Sequence, residues 1–379
     1  MTPIRCTRCR QPYPEDTVPH RCPHCGGVFD FAAPSLSDAP PLFDPAQIDP
    51  SLPGMWRYRG AFDLPRTAPI VTLGEGNTPL IPVDLDGISA FLKMESLNPT
   101  GSYKDRGSAV LLSQLAARGV TQAVEDSSGN AGASFAAYAA RAGVKARVFV
   151  PEAASGPKRG QIEAYGAHLV RVPGPRSAAA EAVLAEVQAG AVYASHAYLP
   201  FGLPGIASIA YEIFEQLHGA PGTVVAPVGH GGLLLGIIRG FAALHQAGLI
   251  DHLPVYLGVQ ARRCAPAWLA FTRGLPAMQE VEEGPTLAEG VRVRQPVRVE
   301  AILNELTPGS AITVVEEEAI LPAYHALARA GVHVEPTSAL AWAALVGEFA
   351  KLPTPITVII SAAGLKYAGG SSSSQTVPT

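Results

Sequence analysis

The sequence lacks a long apolar run, a block of like charges and an even spread of cysteines. No uninterrupted apolar segment reaches the roughly 18 to 20 residues of a membrane span, and the first residues, MTPIRCTRC, lack the apolar core of a secretion signal. With 28 Lys and Arg against 32 Asp and Glu, the formal charge of −4 argues against nucleic acid and anionic membranes as partners. These absences favour a cytoplasmic protein whose partner is a small molecule.

Apolar residues are abundant instead. They make up 47% of 379 residues, and the mean hydropathy is +0.18, so the chain can fill the cores of two or three domains. From about residue 68, short apolar runs such as KARVFVP alternate with Ala-rich helical stretches such as ASFAAYAARAG. This alternation is typical of parallel sheets covered by helices. We therefore predict two three-layer α/β domains with a ligand cleft between them.

Four of the five cysteines form two CxxC pairs, Cys6 with Cys9 and Cys22 with Cys25. Two such knuckles supply the tetrahedral shell of four thiolates that structural zinc prefers, with no position left open for catalysis. Two disulfides are the alternative, but a cytoplasmic chain keeps such thiols reduced. The predicted boundaries are 1–32 for the zinc ribbon, 33–55 for a linker or wrapping arm, 56–205 and 206–368 for the two α/β domains, and 369–379 for a disordered Ser-rich tail.

Lys104 lies in the segment SLNPTGSYKDRG, between turn residues and a predicted helix. At a helix start, the dipole and the unpaired backbone N–H groups disfavour a cation, so the position is expected to lower the pKa of the amine. A neutral amine can form a Schiff base with a carbonyl substrate or with pyridoxal phosphate. A solvated surface lysine is the alternative interpretation.

Three turns follow predicted strands, at the places where ligands bind in such folds. Residues 229–233, GHGGL, precede an apolar helix, and their backbone N–H groups could bind a phosphate; a simple tight turn is the alternative. Residues 127–132, SSGNAG, suit a carboxylate, or form an ordinary helix cap. Ser361 ends the last strand, where its hydroxyl could face a ring nitrogen or cap the strand.

These elements, in this order, resemble the pyridoxal-phosphate enzymes of fold type II, the tryptophan synthase β type, and among them most closely the threonine synthases that carry an N-terminal zinc ribbon. The matching segments are MWRYRG (55–60), GEGNTPLIPV (74–83), SLNPTGSYKDRG (96–107), SSGNAG (127–132), APVGHGGLL (226–234), GVQA (258–261), EPTSA (335–339) and ISAAGLK (360–366). They cover nearly the whole chain after the linker. The resemblance implies a fold type II enzyme with its cofactor in the cleft, acting on a small amino acid, and a homodimer.

The resemblance also implies residue roles. Lys104 would form the internal aldimine and then move protons, Asn130 would contact the phenolic oxygen, and Ser361 would contact the ring nitrogen. Asp105 and Arg106 would fix the helix start by ion pairing. The phosphate of the cofactor would lie on Gly229, His230, Gly231, Gly232 and Leu233. The substrate carboxylate would lie on Ser127, Ser128, Gly129, Ala131 and Thr78.

The chain departs from the threonine synthase pattern in one segment. Where these enzymes have a run similar to NSVNPHRLEGQKT, residues 195–207 read SHAYLPFGLPGIA, with Gly202 and Ala207 at the arginine and lysine positions. A second phosphate, on the substrate, would be poorly held without cations. Lys158 and Arg159 could compensate, and His196 could face the substrate.

Three functions remain open from the sequence. The first is the conversion of O-phospho-L-homoserine and water to L-threonine and phosphate, catalysed through Lys104. The second is a β-elimination or β-replacement on serine, threonine or another small amino acid, as in serine/threonine dehydratases. The third is a protein that binds the cofactor or an amino acid without turnover, with its ribbon serving a partner.

Overall fold

The computed structural model describes residues 4–31, 43–153, 156–174 and 176–367. Its strands are β1 (Ile4–Cys6), β2 (Phe29–Phe31), β3 (Leu80–Leu85), β4 (Ile88–Lys93), β5 (Gln122–Glu125), β6 (Lys145–Pro151), β7 (His168–Val172), β8 (Thr223–Pro227), β9 (Val255–Ala261), β10 (Ala311–Val315) and β11 (Ile356–Ile359). Its helices are α1 (Lys104–Ala117), α2 (Asn130–Ala142), α3 (Pro157–Ala164), α4 (Arg176–Gln188), α5 (Leu203–Leu217), α6 (Gly232–Gln246), α7 (Pro266–Arg273), α8 (Val299–Glu305), α9 (Glu317–Arg329) and α10 (Pro336–Glu348). The predicted mixed α/β fold is confirmed.

Two parallel sheets organise the main body. The larger has the strand order β10, β9, β8, β11, β4, β3, and within it only the edge strand β3 runs antiparallel to its neighbour. The smaller has the order β5, β6, β7. Strand β8 is buried along its whole length, as expected of a parallel strand covered by helices on both faces.

The sheets do not divide the chain at residue 205. Strands β3 and β4, inside the predicted first domain, join the larger sheet because β4 pairs with β11 near the end of the chain. Apolar alternation identifies strands but does not specify which strand pairs with which, so the sequence could not reveal this exchange. The small sheet, by contrast, comes entirely from residues 122–172.

The ends of the predicted linker and tail fall partly outside the described residues. Residues 43–55 do lie within them and form an arm against the main body, since the buried Phe43 packs on Tyr58 and Tyr211, with ring centroids 6.1 and 4.4 Å away. The tail, 369–379, lies outside the described residues. No helix in the described part of the chain has the length and apolar character needed to cross a membrane.

Candidate functional site

The four N-terminal cysteines meet at one end of the β1–β2 hairpin. Their Sγ atoms all lie within 4.8 Å of one another, with Cys6 to Cys25 at 3.4 Å and Cys9 to Cys22 at 3.6 Å. These distances exceed a disulfide bond and approach the ~3.8 Å that separates sulfur atoms around a tetrahedral zinc ion. Gly27 keeps the space open, because a Cβ there would lie 2.7 Å from the Cys6 Sγ. The cluster fits a four-thiolate metal site.

Lys104 is the first residue of α1, as its place between turn residues predicts. Its Nζ lies 4.8 Å from the centre of the Tyr103 ring, and the side chain is half-buried. The residue lines a cleft together with His196, Gly202, His230, Gly232 and Arg298. Lys104 and the predicted phosphate loop therefore face the same space.

The glycine-rich segment 229–233 connects β8 to α6. Gly231 adopts φ +94°, a conformation that L side chains rarely adopt, and a Cβ there would lie 2.7 Å from Ile302 Cδ1. Gly232 begins α6, and a Cβ on it would meet no heavy atom closer than 3.9 Å. The segment thus presents an open helix N-terminus to the cleft, which is the usual geometry of a phosphate site.

Ser361 follows β11, the immediate neighbour of β8 in the sheet. The carboxyl ends of parallel neighbours meet at one edge, so Ser361 and the glycine loop share that edge. The Ser361 hydroxyl lies 3.0 Å from the Ser338 hydroxyl, and its carbonyl accepts a hydrogen bond from Tyr103 N at 3.0 Å. Ser361 is therefore one hydrogen bond away from the turn that carries Lys104.

Asn130 begins α2 and reaches the same region through Glu335. Its Nδ2 donates to Glu335 Oε2 at 2.9 Å, and Glu335 N donates to the carbonyl of Ala362 at 3.1 Å. Among the described residues nothing hydrogen-bonds the buried Asn130 Oδ1 or the buried Ser102 Oγ. Unpaired buried polar atoms are costly, so both fit the contacts of a polar ligand.

The segment 127–131 forms the turn from β5 into α2. Ser127 Oγ accepts from Gly129 N at 3.2 Å, and a Cβ on Gly132 would lie 1.8 Å from the Ser127 carbonyl oxygen, so the turn requires that glycine. Backbone N–H groups at the start of α2 are available to a carboxylate in this geometry. The predicted roles of Ser127, Ser128, Gly129 and Ala131 stay predictions.

Thr78 does not join this group. Its hydroxyl donates to Glu95 Oε1 at 2.7 Å and accepts from Arg106 Nη2 at 3.2 Å, inside a network that is closed to solvent. Because the hydroxyl already has both partners, we do not retain Thr78 as a substrate contact. A position within a matching motif gave no indication of this commitment.

The network around Thr78 contains two cations and two carboxylates, none of them exposed beyond 1%. Arg106 pairs with Glu95 at 2.7 Å and with Glu212 at 2.7 Å, and Lys93 pairs with Glu212 at 2.8 Å. Burial alone would raise the pKa of Glu212, but Arg106 and Lys93 outweigh it and hold that pKa well below its ordinary range. The expected ion pairing of Arg106 is present.

Asp105 is fixed differently from the expected ion pair. It accepts from Thr100 N and Thr100 Oγ1 at 2.6 Å and from Ser134 Oγ at 2.6 Å. Burial raises the pKa of its carboxyl to about 6, against the opposing effect of these hydrogen bonds. The residue ties the start of α1 to α2, so its role is structural, through hydroxyl groups.

The departures at Gly202 and Ala207 have a structural basis. A Cβ on Gly202 would lie 3.0 Å from the Gly107 carbonyl oxygen, because α1 and the start of α5 nearly touch. Ala207 is buried against α6, where a Cβ on Gly240 would lie 2.5 Å from the Ala207 carbonyl oxygen. Close backbone packing occupies the space that an arginine and a lysine would need.

The proposed replacements for those cations are already engaged. Lys158 Nζ lies 2.7 Å from Glu335 Oε1, so its charge is balanced. His196 does line the cleft, where its Nδ1 lies 2.9 Å from the buried Glu125 Oε1 and its ring centroid lies 5.5 Å from that of His230. A carboxylate beside an imidazole favours its protonated form.

Sequence reasoning missed Glu335, Arg298 and Lys366. Lys366 Nζ donates to the Thr100 carbonyl at 2.6 Å, beneath the turn that leads to Lys104. Burial lowers the pKa of its amine to about 8, although Asp105 and Glu335 oppose the shift. The ISAAGLK match could have drawn attention to it, but nothing in the sequence indicates its burial.

The low pKa of Lys366 predicts a pH dependence. Between about pH 8 and its ordinary value of 10.5, the unfolded chain binds a proton that the folded chain does not, so stability rises with pH. We expect the unfolding free energy of the wild type, minus that of Lys366→Met, to rise by up to about 1.4 kcal/mol per pH unit in that window. Urea denaturation from pH 7.5 to 10.5 measures it. Lys145→Met, at an exposed position, should give a flat difference, and a flat difference for Lys366→Met would contradict the prediction.

Comparison with known proteins agrees with this geometry. A family model described as "Pyridoxal-phosphate dependent enzyme" matches residues 71–362. The threonine synthase of Methanocaldococcus jannaschii is 33% identical over 360 residues, covering 90% of this chain and 86% of that protein. The threonine synthase of Mycobacterium tuberculosis is 36% identical over 287 residues, covering 73% of this chain and 77% of that protein.

Solved structures give the same fold. A threonine deaminase, its source given as "T.th.", aligns with a TM-score of 0.65 and 28% identity, over 77% of this chain and 94% of that one. Maize serine racemase aligns with a TM-score of 0.64 and 22% identity, over 76% and 88%, and supports the fold alone. From the family match over most of its length and the threonine synthase relatives above 30% identity, this chain belongs to the pyridoxal-phosphate dependent enzyme family.

Proposed function

We propose that this protein is a carbon–oxygen lyase of the threonine synthase type, which converts O-phospho-L-homoserine and water to L-threonine and phosphate. The observation that carries the proposal is that Lys104 at the start of α1 and the glycine loop at the start of α6 line one cleft. Pyridoxal phosphate, when bound, supplies an aldehyde that captures amines and a ring that accepts electrons. The threonine synthase relatives support the choice of reaction.

The chain's own residues have distinct tasks in this proposal. The amine of Lys104 holds the cofactor and, once displaced by the substrate amine, removes the Cα proton as general base. The backbone of 229–233 holds the cofactor phosphate, and Asn130 holds the phenolic oxygen with the amide N–H that Glu335 does not use. Ser361 offers the ring nitrogen a neutral hydroxyl. A hydroxyl does not keep a pyridine protonated as a carboxylate does, so the ring is a milder electron acceptor.

A second candidate function follows from the wall at Gly202 and Ala207. Because backbone packing fills both positions and Lys158 is paired with Glu335, the cleft offers a substrate phosphate little positive charge beyond His196. A hydroxyl leaving group needs a proton donor rather than a cationic pocket. This wall favours β-elimination from serine or threonine, the reaction class of the threonine deaminase neighbour.

One assay separates these functions. Purified protein with added pyridoxal phosphate is given O-phospho-L-homoserine, L-threonine or L-serine, and phosphate, threonine and 2-oxo acids are measured. Release of phosphate together with threonine supports the first proposal. Formation of 2-oxobutanoate or pyruvate without phosphate release would replace it with the second. Absence of every product, with cofactor still bound, would indicate a binding protein.

Gly232→Ala tests the phosphate loop. The protein leaves room for a Cβ at this helix position, so we expect the unfolding midpoint to change by less than about 2 °C. The same methyl group would project among the backbone N–H groups of the loop, and we expect the dissociation constant for pyridoxal phosphate to rise about tenfold, equivalent to about 1.4 kcal/mol. Absorbance titration measures the constant. Unchanged affinity would place the phosphate elsewhere.

We further propose that the four cysteines bind a structural zinc ion. Burial raises the pKa of the Cys6 thiol, but hydrogen bonds from the backbone N–H groups of Cys9 and Arg8 outweigh it and lower the pKa to about 7. Thiolates are the form that zinc binds. Metal analysis of the purified protein should find one zinc per chain. The expected homodimer is open to sedimentation analysis.

A further inference from the structure

The metal-binding ribbon is packed directly against the wall of the cleft. Tyr13 of the ribbon lies edge-on to Phe201, with centroids 5.0 Å apart, and His20 lies edge-on to Tyr198 at 5.6 Å. Arg21 adds a hydrogen bond to the Tyr198 hydroxyl at 3.3 Å. Both Tyr13 and Phe201 are buried. The segment that ends in Phe201 is the one that brings His196 to the cleft.

Arg298 joins the ribbon to this segment from the other side. Its Nη1 donates to the Phe29 carbonyl at 2.9 Å and lies 3.2 Å from Asp30 Oδ2, and both residues are in strand β2 of the ribbon. Its Nε and Nη2 donate to the carbonyls of Ala197 at 3.2 Å and Tyr198 at 2.8 Å. One buried guanidinium therefore holds the ribbon and the cleft wall together.

The same residue also holds the phosphate loop. Arg298 N donates to the His230 carbonyl at 3.0 Å, and a Cβ on Gly231 would lie 3.1 Å from Arg298 Cβ. A second link runs from Asp30 to Arg239 on α6, at 2.6 Å, and α6 is the helix that the loop opens. A displacement of β2 would therefore reach both the loop and the cleft wall.

We propose that the ribbon is a positioning element of the cleft, with Arg298 as the positioning residue that transmits its geometry. In this view the metal holds β1 and β2 in place, β2 fixes the guanidinium, and the guanidinium fixes residues 197–198 and the carbonyl of His230. The inference rests on the proposed cofactor site and metal site. It gives the ribbon a function within its own chain, because its aromatic face is covered by residues 193–201.

The test is a cycle of metal removal and substitution in the full-length protein. Zinc is removed with a mercurial thiol reagent and a chelator and then restored, and the dissociation constant for pyridoxal phosphate is measured by absorbance in each state. We expect metal removal to weaken cofactor binding about 5- to 150-fold in the wild type. In Arg298→Gln the affinity should already be low, and metal removal should change it less than about threefold, within the range of no coupling.

Two further measurements separate positioning from general stability. Hydrogen exchange should increase on metal removal at residues 195–201 and 229–233, and not across strands β9 and β10. Arg298→Lys retains the charge but not the planar set of donors, so it should behave as Arg298→Gln does. If the variants fail to fold, the wild-type measurements alone decide.

The outcomes are distinct. A cofactor affinity in the wild type that does not change with metal content would overturn the positioning role and leave the proposed function intact. Full metal dependence in folded Arg298→Gln would overturn the part given to Arg298. A wild type that forms no visible Schiff base with the cofactor would overturn the proposed function and this inference with it.

Discussion

Lys104→Ala is expected to lose both the visible absorbance of a lysine–pyridoxal phosphate Schiff base and nearly all turnover. The substitution removes the amine that lines the cleft, and with it the base that takes the Cα proton. Proton transfer by a positioned side chain alone contributes about 10²- to 10⁴-fold to a rate. We therefore expect kcat to fall by at least about 10³-fold. Absorbance spectra and product assays measure the two effects.

The controls separate chemistry from folding. Lys104→Arg keeps a cation at the start of α1 but does not form a Schiff base at neutral pH, so it should be as inactive as the alanine variant. Lys145→Ala, on an exposed position at the start of β6, should retain the absorbance and the activity. Turnover by Lys104→Ala within tenfold of the wild type would show that another group is the base.

Glu212→Ala is expected to cause the largest loss of stability. The carboxylate receives Arg106 and Lys93, and it also accepts from the backbone of Asn77 at 2.7 Å. Removing it leaves two cations buried with one carboxylate between them. Breaking a buried ion pair in this way costs about 3–5 kcal/mol. The free energy of unfolding in urea measures the loss.

Glu215 is a matched control on the same helix. It pairs with Arg57 at 2.6 Å, but its side chain is 39% exposed. Surface pairs contribute about 0–1 kcal/mol, so Glu215→Ala should change the free energy of unfolding by no more than about 1 kcal/mol. Equal losses for the two variants would mean that the buried network does not carry the stability assigned to it.

Local patterns predicted the local features of the site. Lys104 at a helix start, the glycine loop between β8 and α6, and Ser361 at the end of β11 each depend on a strand and a turn within a few residues. The meeting of four cysteines likewise follows from the CxxC spacing. In each case the residues that define the feature are neighbours in the chain.

The features that sequence reasoning missed depend on residues far apart in the chain. Arg298 and Phe29 are separated by 269 positions, and Arg106 and Glu212 by 106. A buried arginine and a surface arginine have the same letter, and only the fold distinguishes them. For the same reason, the exchange of β4 into the larger sheet and the engaged hydroxyl of Thr78 had no signature in the sequence.

The contact between Gly202 and Gly107 limits how this enzyme could be redesigned. Gly107 lies three residues after Lys104 on the same helix, and a side chain at Gly202 would meet its backbone at 3.0–3.3 Å. Transplanting the arginine of the threonine synthases to position 202 would therefore push α1 outward and carry the reactive amine with it. Leaving-group preference and amine placement are mechanically coupled, so an engineered change of substrate must rebuild both helices together.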